Sequence, residues 1–258
     1  MGSFTYVGSE LDLFSQCVRW KDYFRSRLAP HIGSDVLEVG AGIGANTAIL
    51  FAPPVRRWVC LEPDANLAAQ IQNAVASGSL PPQCEVRIGT LADAVTANER
   101  FDTLLYVDVL EHIADDKAEM AAAASRLQPG GKLIVLAPAH QFLFSPFDAN
   151  IGHHRRYNAT MMRALTRPDL DLIALQSLDS IGLFASMANR LLLRQSMPTR
   201  GQLAVWDRYM VPISRWVDPV LGYRMGKSII GVWRKKESLP SQSQRPQPLV
   251  QTRPLGPQ

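Results

Sequence analysis

The 258-residue sequence predicts an α/β fold: a seven-stranded, mostly parallel sheet with helices on both faces and a helical insertion before the last strand. Three observations predict it. Short apolar runs alternate with helical stretches through the first two-thirds of the chain. A glycine-rich turn follows the first run directly. A long stretch of helical character separates the last two runs. Alternation of this kind closes into a parallel sheet because each crossover needs a helix to return the chain.

The runs at residues 36–39, 58–61, 86–88, 101–107 and 133–137 are short, rich in branched or aromatic residues, and bounded by Gly, Pro or charge. Buried strands have this form. Residues 46–51, 65–77 and 115–127 have helical character. The last of these is rich in Ala and stops at Gln128-Pro129-Gly130-Gly131, which ends a helix and turns the chain into a strand. Residues 172–177 and 228–233 are candidate final strands. Between them, residues 184–226 read as amphipathic helices broken at Pro198 and near Pro219, a cover inserted before the last strand. Residues 1–236 read as one domain. The tail, residues 237–258, is rich in Pro, Gln and Ser and is expected to be disordered.

An apolar fraction of 47% in a chain of this size is enough to bury a core without staples. Cys17, Cys60 and Cys84 are odd in number and widely spaced, with no CxxC, which suits reduced thiols in a cytoplasmic protein. No signal peptide is expected, and no apolar run approaches the roughly 18 to 20 residues of a spanning helix. The net charge of +4 conceals a gradient. Residues 184–227 hold six Arg and one Lys against Asp207 and Asp218, whereas the first 183 residues are net acidic. The basic part is thus separate from the motifs below, and a nucleic-acid-binding catalytic face is not expected.

The strongest local signal is Val36-Leu37-Glu38-Val39-Gly40-Ala41-Gly42-Ile43-Gly44, a buried strand running into a glycine turn and then a helix. Glycines there permit positive φ and close approach of a ligand to the backbone. Gly40, Gly42 and Ala45 also fit the dinucleotide fingerprint GxGxxA, so the glycines alone do not separate the two nucleoside ligands. Glu38, inside the strand, suits a cationic ligand such as the amino group of a methionine moiety and would repel a pyrophosphate. Glu62, at the end of the next run, can accept both hydroxyls of a ribose.

With these residues the sequence resembles the class I S-adenosylmethionine (SAM)-dependent methyltransferases, in the small-molecule branch that includes the ubiquinone-biosynthesis O-methyltransferases. The resemblance runs from about residue 35 to 138, through LEVGAGIG (37–44), LEPD (61–64), RIGTLADA (87–94), FDTLLYVDVLEHI (101–113) and LQPGGKLIVLAP (127–138), in the family's order and spacing. It implies a Rossmann-like fold and SAM as cofactor. It also implies that Gly40, Gly42 and Gly44 pack against the methionine part, that Glu62 holds the ribose, that Gly89, Thr90 and Leu91 flank the adenine, and that Val107 and Asp108 line the wall beside the sulfonium. One departure is Thr90, where many relatives carry an Asp; a hydroxyl and backbone groups are expected to serve in its place, rather than Asp93. The same resemblance implies that Glu111 and His112 help fix their loop, with a base role for His112 as the alternative.

The acceptor is expected beyond the carboxyl ends of the strands. The loop after the fifth strand, residues 138–157, is long and without obvious regular structure, which favours function. Its Asp-x-x-x-Gly-His-x-Arg-Arg-Tyr segment resembles segments of methyltransferases encoded near glycan and lipid pathways. His153 or His154 is the candidate general base for a hydroxyl acceptor. Arg155, Arg156 and Tyr157 are candidates for holding the acceptor. No metal is expected, because adjacent histidines commonly point apart. Residues 184–226 are read as core packing, an apolar acceptor pocket or a peripheral membrane contact. The expected activity is methyl transfer to a small, partly apolar or glycan- or lipid-linked acceptor bearing a hydroxyl. The alternatives are an NAD(P)-dependent oxidoreductase, disfavoured by Glu38 and by the lack of a Tyr-x-x-x-Lys pair, and a non-catalytic SAM-binding protein.

Overall fold

The computed structural model describes residues 14–192 and 199–237. Pro198 and nearly all of the expected tail lie outside the described residues. Seven strands form one sheet: β1 (Asp35–Val39), β2 (Arg57–Glu62), β3 (Cys84–Ile88), β4 (Phe101–Val107), β5 (Leu127–Pro138), β6 (Leu170–Leu178) and β7 (Ser228–Lys235). Their order is β3-β2-β1-β4-β5-β7-β6. The strands from β3 through β5 pair in parallel, and β7 is antiparallel to both β5 and β6. The order reverses between β1 and β4, which opens a crevice beyond their carboxyl ends.

Both faces of the sheet are covered, so its central strands read as continuous apolar runs rather than alternating ones. Val36, Trp58, Cys60 and Leu105 fill the core on one face, and Leu37, Val59, Leu61 and Leu104 fill the core on the other. The first face is covered by α1 (Val18–Leu28), α2 (Thr47–Leu50) and α3 (Ala65–Ala76), and the second by α4 (Leu91–Ala94) and α5 (Asp116–Ser125). Asp64 and Asp115 cap α3 and α5, accepting from the backbone N–H groups of Asn66 and Leu67 and of Ala118.

Residues 138–157 are more regular than expected. A 3-10 turn (Gln141–Leu143) is followed by α6 (Pro146–Asn150), which opens on a Ser145–Asp148 capping box. Single turns are too short to show helical periodicity in sequence. Then α7 (Ala159–Ala164) leads into β6.

The insertion comprises α8 (Ser180–Leu192), α9 (Arg200–Val205), a π turn (Trp206–Met210) and α10 (Val211–Val220). Pro212 in the first turn of α10 lacks an N–H and crowds the preceding turn, which accounts for the widened π geometry before it. Three aspartates organise this segment. Asp207 caps α1, accepting from Trp20 N at 2.8 Å and Arg19 N at 3.2 Å. Buried Asp218 accepts from Tyr23 Oη at 2.6 Å, Asp179 N at 2.7 Å and Ser180 N at 3.0 Å. Buried Asp179 accepts from Trp206 Nε1 at 2.7 Å, Ser214 Oγ at 2.7 Å and Gly182 N at 3.0 Å. The insertion is therefore fastened to α1 and to the end of β6, over the crevice.

Candidate active site

The crevice widens into a cavity of about 1700 Å³, lined from the glycine turn, the ends of β2, β3 and β4, residues 143–156 and the insertion. Single-ligand pockets measure roughly 300–1,000 Å³, so this one has room for a cofactor and an acceptor together.

The turn after β1 is shaped for close approach. Gly40 has φ +69°, and a Cβ there would stand 2.6 Å from a Val109 methyl, so no side chain fits. Gly40 and Gly42 line the cavity. Gly44 does not: its Cβ direction meets Leu80 and Ile71, so it serves helix packing and not the ligand. Glu62 closes the turn. Its Oε2 accepts from Gly42 N at 2.8 Å and its Oε1 from Asp64 N at 2.9 Å. Burial raises its pKa, and these two backbone donors oppose the rise. Each oxygen keeps a lone pair for a ribose hydroxyl. Thr90 and Leu91 line the cavity, and Asp93 does not; the Thr90 hydroxyl donates to Asp93 at 2.6 Å and holds it aside.

Glu38 departs from expectation. It shares a sheet face with Val36 and Cys60, beneath α1 and α2, and does not line the cavity. Its carboxylate accepts from the Thr47 hydroxyl and from Trp58 Nε1 at 2.9 Å. Burial pushes its pKa up to about 7. A strand side chain of this parity cannot turn to the end of the sheet.

Val107 and Asp108 stand at the end of β4, on the cavity wall. Asp108 adopts φ +53°, a left-handed conformation that Asp tolerates better than most residues. Surrounding protein pushes its pKa up to about 6 although its carboxyl faces the open cavity, and the nearby charges of His153, Lys227 and Arg156 restrain the rise.

Residues 143–156 form the opposite wall. Asp148 is its organiser, accepting from Ser145 N and Oγ, from Arg156 Nε at 2.8 Å and Nη2 at 3.0 Å, and pairing with His153 Nδ1 at 3.0 Å. Burial would raise Asp148, but the His153 and Arg156 bonds outweigh it and hold the carboxyl below its ordinary range. His153 is thereby oriented, with Nε2 3.8 Å from Glu111 Oε1. Among the described residues, buried Glu111 has no hydrogen-bond partner for either oxygen, and burial with Asp108 beside it raises it well above the usual carboxylate range. The His112 ring stands edge-to-face on His153 at 4.5 Å, and burial with the neighbouring imidazoles lowers its pKa to about 4. Glu111, His112 and His153 each offer a ligand atom within 4.8 Å of the others, so this corner could hold a metal ion, which the sequence reading did not anticipate.

Three other candidates fall outside the cavity. His154 is exposed on the far side, tied by its N–H to Glu111 O at 2.8 Å. Arg155 donates to the carbonyls of Ile113 and Ala114 and pairs with Asp116 at 3.0 Å. Tyr157 is fully buried, its hydroxyl on Asp116 at 2.9 Å. Arg155 and Tyr157 both reach Asp116 while Arg156 between them reaches Asp148, the alternation of an extended chain. Among these expected acceptor contacts, His153 and Arg156 remain on the cavity wall. Lys227, Lys21 and Trp206 also line it. An apolar acceptor pocket in residues 184–226 was among the expectations and fits Trp206, but single lysines outside any motif carry no sequence signal.

A sheet of this order, with this turn after its first strand, belongs to the class I SAM-dependent methyltransferases. The chain itself belongs to the methyltransferase-domain family, whose model matches residues 12–185. It is 29% identical over 155 residues to a probable S-adenosylmethionine-dependent methyltransferase of Mycolicibacterium smegmatis, covering 59% of this chain and 56% of the relative. It is 28% identical over 135 residues to the ubiquinone biosynthesis O-methyltransferase of Dinoroseobacter shibae, covering 44% and 49%. The chain thus spans about half the length of these curated relatives. Among solved structures, coclaurine N-methyltransferase bound to N-methylheliamine and SAH aligns with a TM-score of 0.59 at 14% identity, covering 90% of this chain and 76% of that one. The [4+2]-cyclase SpnF aligns at 0.60 and 14%, covering 90% and 96%. These likenesses show the fold; a cyclase among them shows that the fold alone does not set the reaction.

Proposed function

We propose that the protein methylates a hydroxyl on a small, largely apolar acceptor, with His153 as general base. The observation that carries this reading is the pairing, across one cavity, of the cofactor wall with an imidazole oriented by a buried carboxylate. SAM, when bound, supplies an electrophilic methyl group on a sulfonium. Gly40, Gly42, Glu62, Thr90, Leu91, Val107 and Asp108 are the residues that would hold it. Asp148 fixes the ring of His153 through Nδ1, leaving Nε2 to take the proton of the acceptor hydroxyl. Glu111 lies 3.8 Å from that Nε2, and burial with Asp108 beside it disfavours its charged form. Apolar walls exclude water from the nucleophile. His153→Ala should lower turnover by on the order of 10²–10⁴-fold with S-adenosylhomocysteine (SAH) affinity nearly unchanged. Undiminished turnover in that variant would leave an enzyme working by positioning alone.

A second reading concerns where the enzyme meets its acceptor. Tyr209, Ile213, Trp216 and Val220 recur at helical spacing and are exposed, Trp216 by 82% and Val220 by 86%. Arg208, Arg215 and Arg224 lie among them in sequence. No helix among the described residues is long and apolar enough to cross a membrane. We read this stripe as a peripheral contact for an anionic membrane surface. Sedimentation with anionic liposomes at low salt, released at high salt, is the expected result; absence of sedimentation at low salt removes this reading.

A further inference from the structure

We propose that Lys227, lying over the Trp206 ring, forms a subsite for an anionic group of the acceptor, a carboxylate or phosphate carried on an apolar body. The inference rests on the methyl-transfer reading above and narrows its acceptor class.

Most charges on the cavity wall already have partners within the protein. Arg156 meets both oxygens of Asp148. Glu62 is held by two backbone N–H groups, and Glu119 accepts from the Tyr106 hydroxyl at 2.7 Å. Lys21 donates to Ala45 O, and Arg190 to Phe144 O. The Lys227 ammonium makes no hydrogen bond or ion pair with any described residue. Its contact is the face of Trp206, 4.7 Å from the ring centroid. That face attracts the charge but accepts none of the three N–H bonds. Asp179 is the buried acid nearest in effect, yet its oxygens already take Trp206 Nε1, Ser214 Oγ and Gly182 N. An ammonium half withdrawn from water with three unused donors is costly unless a ligand engages it.

Position separates this group from the cofactor. Lys227 immediately precedes β7, which lies beyond β4 and β5 from β1. Three strand spacings amount to roughly 14 Å. The glycine turn and Glu62 are therefore remote from it, and the same cavity is also lined by the apolar Leu143, Phe144, Leu203 and Met210. A ligand with its anionic group on Lys227 would lay its apolar part along that wall, with Asp108 and His153 within the same chamber.

The test uses the full-length chain preloaded with SAH and titrated calorimetrically with decanoate, decyl phosphate and decanol. The wild type should bind at least one of the two anions about ten-fold or more tightly than decanol, as a charge-assisted hydrogen bond would give; the two anion arms tell which head group is preferred. Lys227→Met should lose that margin while keeping decanol affinity, and Lys227→Arg should keep it. Equal affinities in the wild type, binding of none of the three, or a margin that survives Lys227→Met would each overturn the proposal. A Lys227→Met variant that loses SAH instead would assign the lysine to the cofactor and overturn it as well. Failure of the wild type to bind SAH in the preloading step reports separately on the methyltransferase reading.

Discussion

Glu38 and Glu62 occupy neighbouring parallel strands, and their carboxylates face different problems. Glu62 ends its strand, where two backbone N–H groups hold its carboxylate in place at the cavity. Glu38 lies within its strand and is sealed beneath α2, with Thr47 and Trp58 as its donors. Glu62→Ala should therefore weaken SAH binding by about 1.5–3 kcal/mol, and Glu38→Gln should leave it nearly unchanged; calorimetry on both variants checks the contrast. Glu38 has a second signature. Its folded-state pKa is raised from 4.5 to about 7, so the folded protein binds this proton more tightly than the unfolded chain. Its contribution to stability is complete below 4.5 and is lost as the pH climbs through about 7. Glu38→Gln removes that loss, and should gain on the order of 1–3 kcal/mol relative to the wild type between pH 4.5 and pH 8. Denaturant unfolding at the two ends of the window, with no relative gain, would show that Glu38 titrates normally.

At the scale of elements, the insertion before β7 owes its place to buried acids more than to its apolar stripe. Asp218 gathers the Tyr23 hydroxyl and two backbone N–H groups from the start of α8. Asp218→Ala would orphan all three donors in a dry site and should cost about 3–5 kcal/mol, well beyond the roughly 1 kcal/mol of Tyr23→Phe, which removes one bond and leaves the rest. Chemical denaturation of the two variants reads the difference. In sequence, Asp207 and Asp218 are only two negative charges in a basic segment; the groups they reach in α1 lie nearly two hundred positions away, and no local pattern announces such a partner. The helix they hold, α1, was legible in principle, because Trp20, Tyr23, Phe24 and Leu28 recur on one helical face.

Across the whole molecule, legibility follows the range of the interactions. The five strands of the first half and the glycine turn declare themselves because burial on two faces and positive φ impose local composition. The acceptor wall does not, because residues 153–156 follow irregular chain and their side chains go where distant acids draw them: His153 and Arg156 to Asp148, Arg155 and Tyr157 to Asp116. Hence His153 and Arg156 reach the cavity while His154, Arg155 and Tyr157 do not. The same wholeness gives a global test of the cofactor site. SAH at a hundred times its dissociation constant should stabilise the fold by about 2.7 kcal/mol. That gain should persist in EDTA, since the residues assigned to the cofactor are separate from the Glu111, His112 and His153 corner. A thermal shift abolished by the chelator would make that corner part of cofactor binding.

The reversed strand β7 has a consequence for how specificity can be inherited. The parallel strands bring their last residues to the crevice and β7 brings its first, so the chain visits the crevice early with residues 40–108, again with residues 143–156, and returns late with residue 227. The cover lies between the last two strands in sequence, outside the parallel part of the sheet. Yet the cover is not a free module, because Asp207 and Asp218 clasp α1 near the other end of the chain. A graft of residues 179–227 onto a relative would keep its seat over the crevice only if residues 14–28 travelled with it: the unit of exchange is discontinuous, two distant stretches joined in space by a handful of carboxylate bonds.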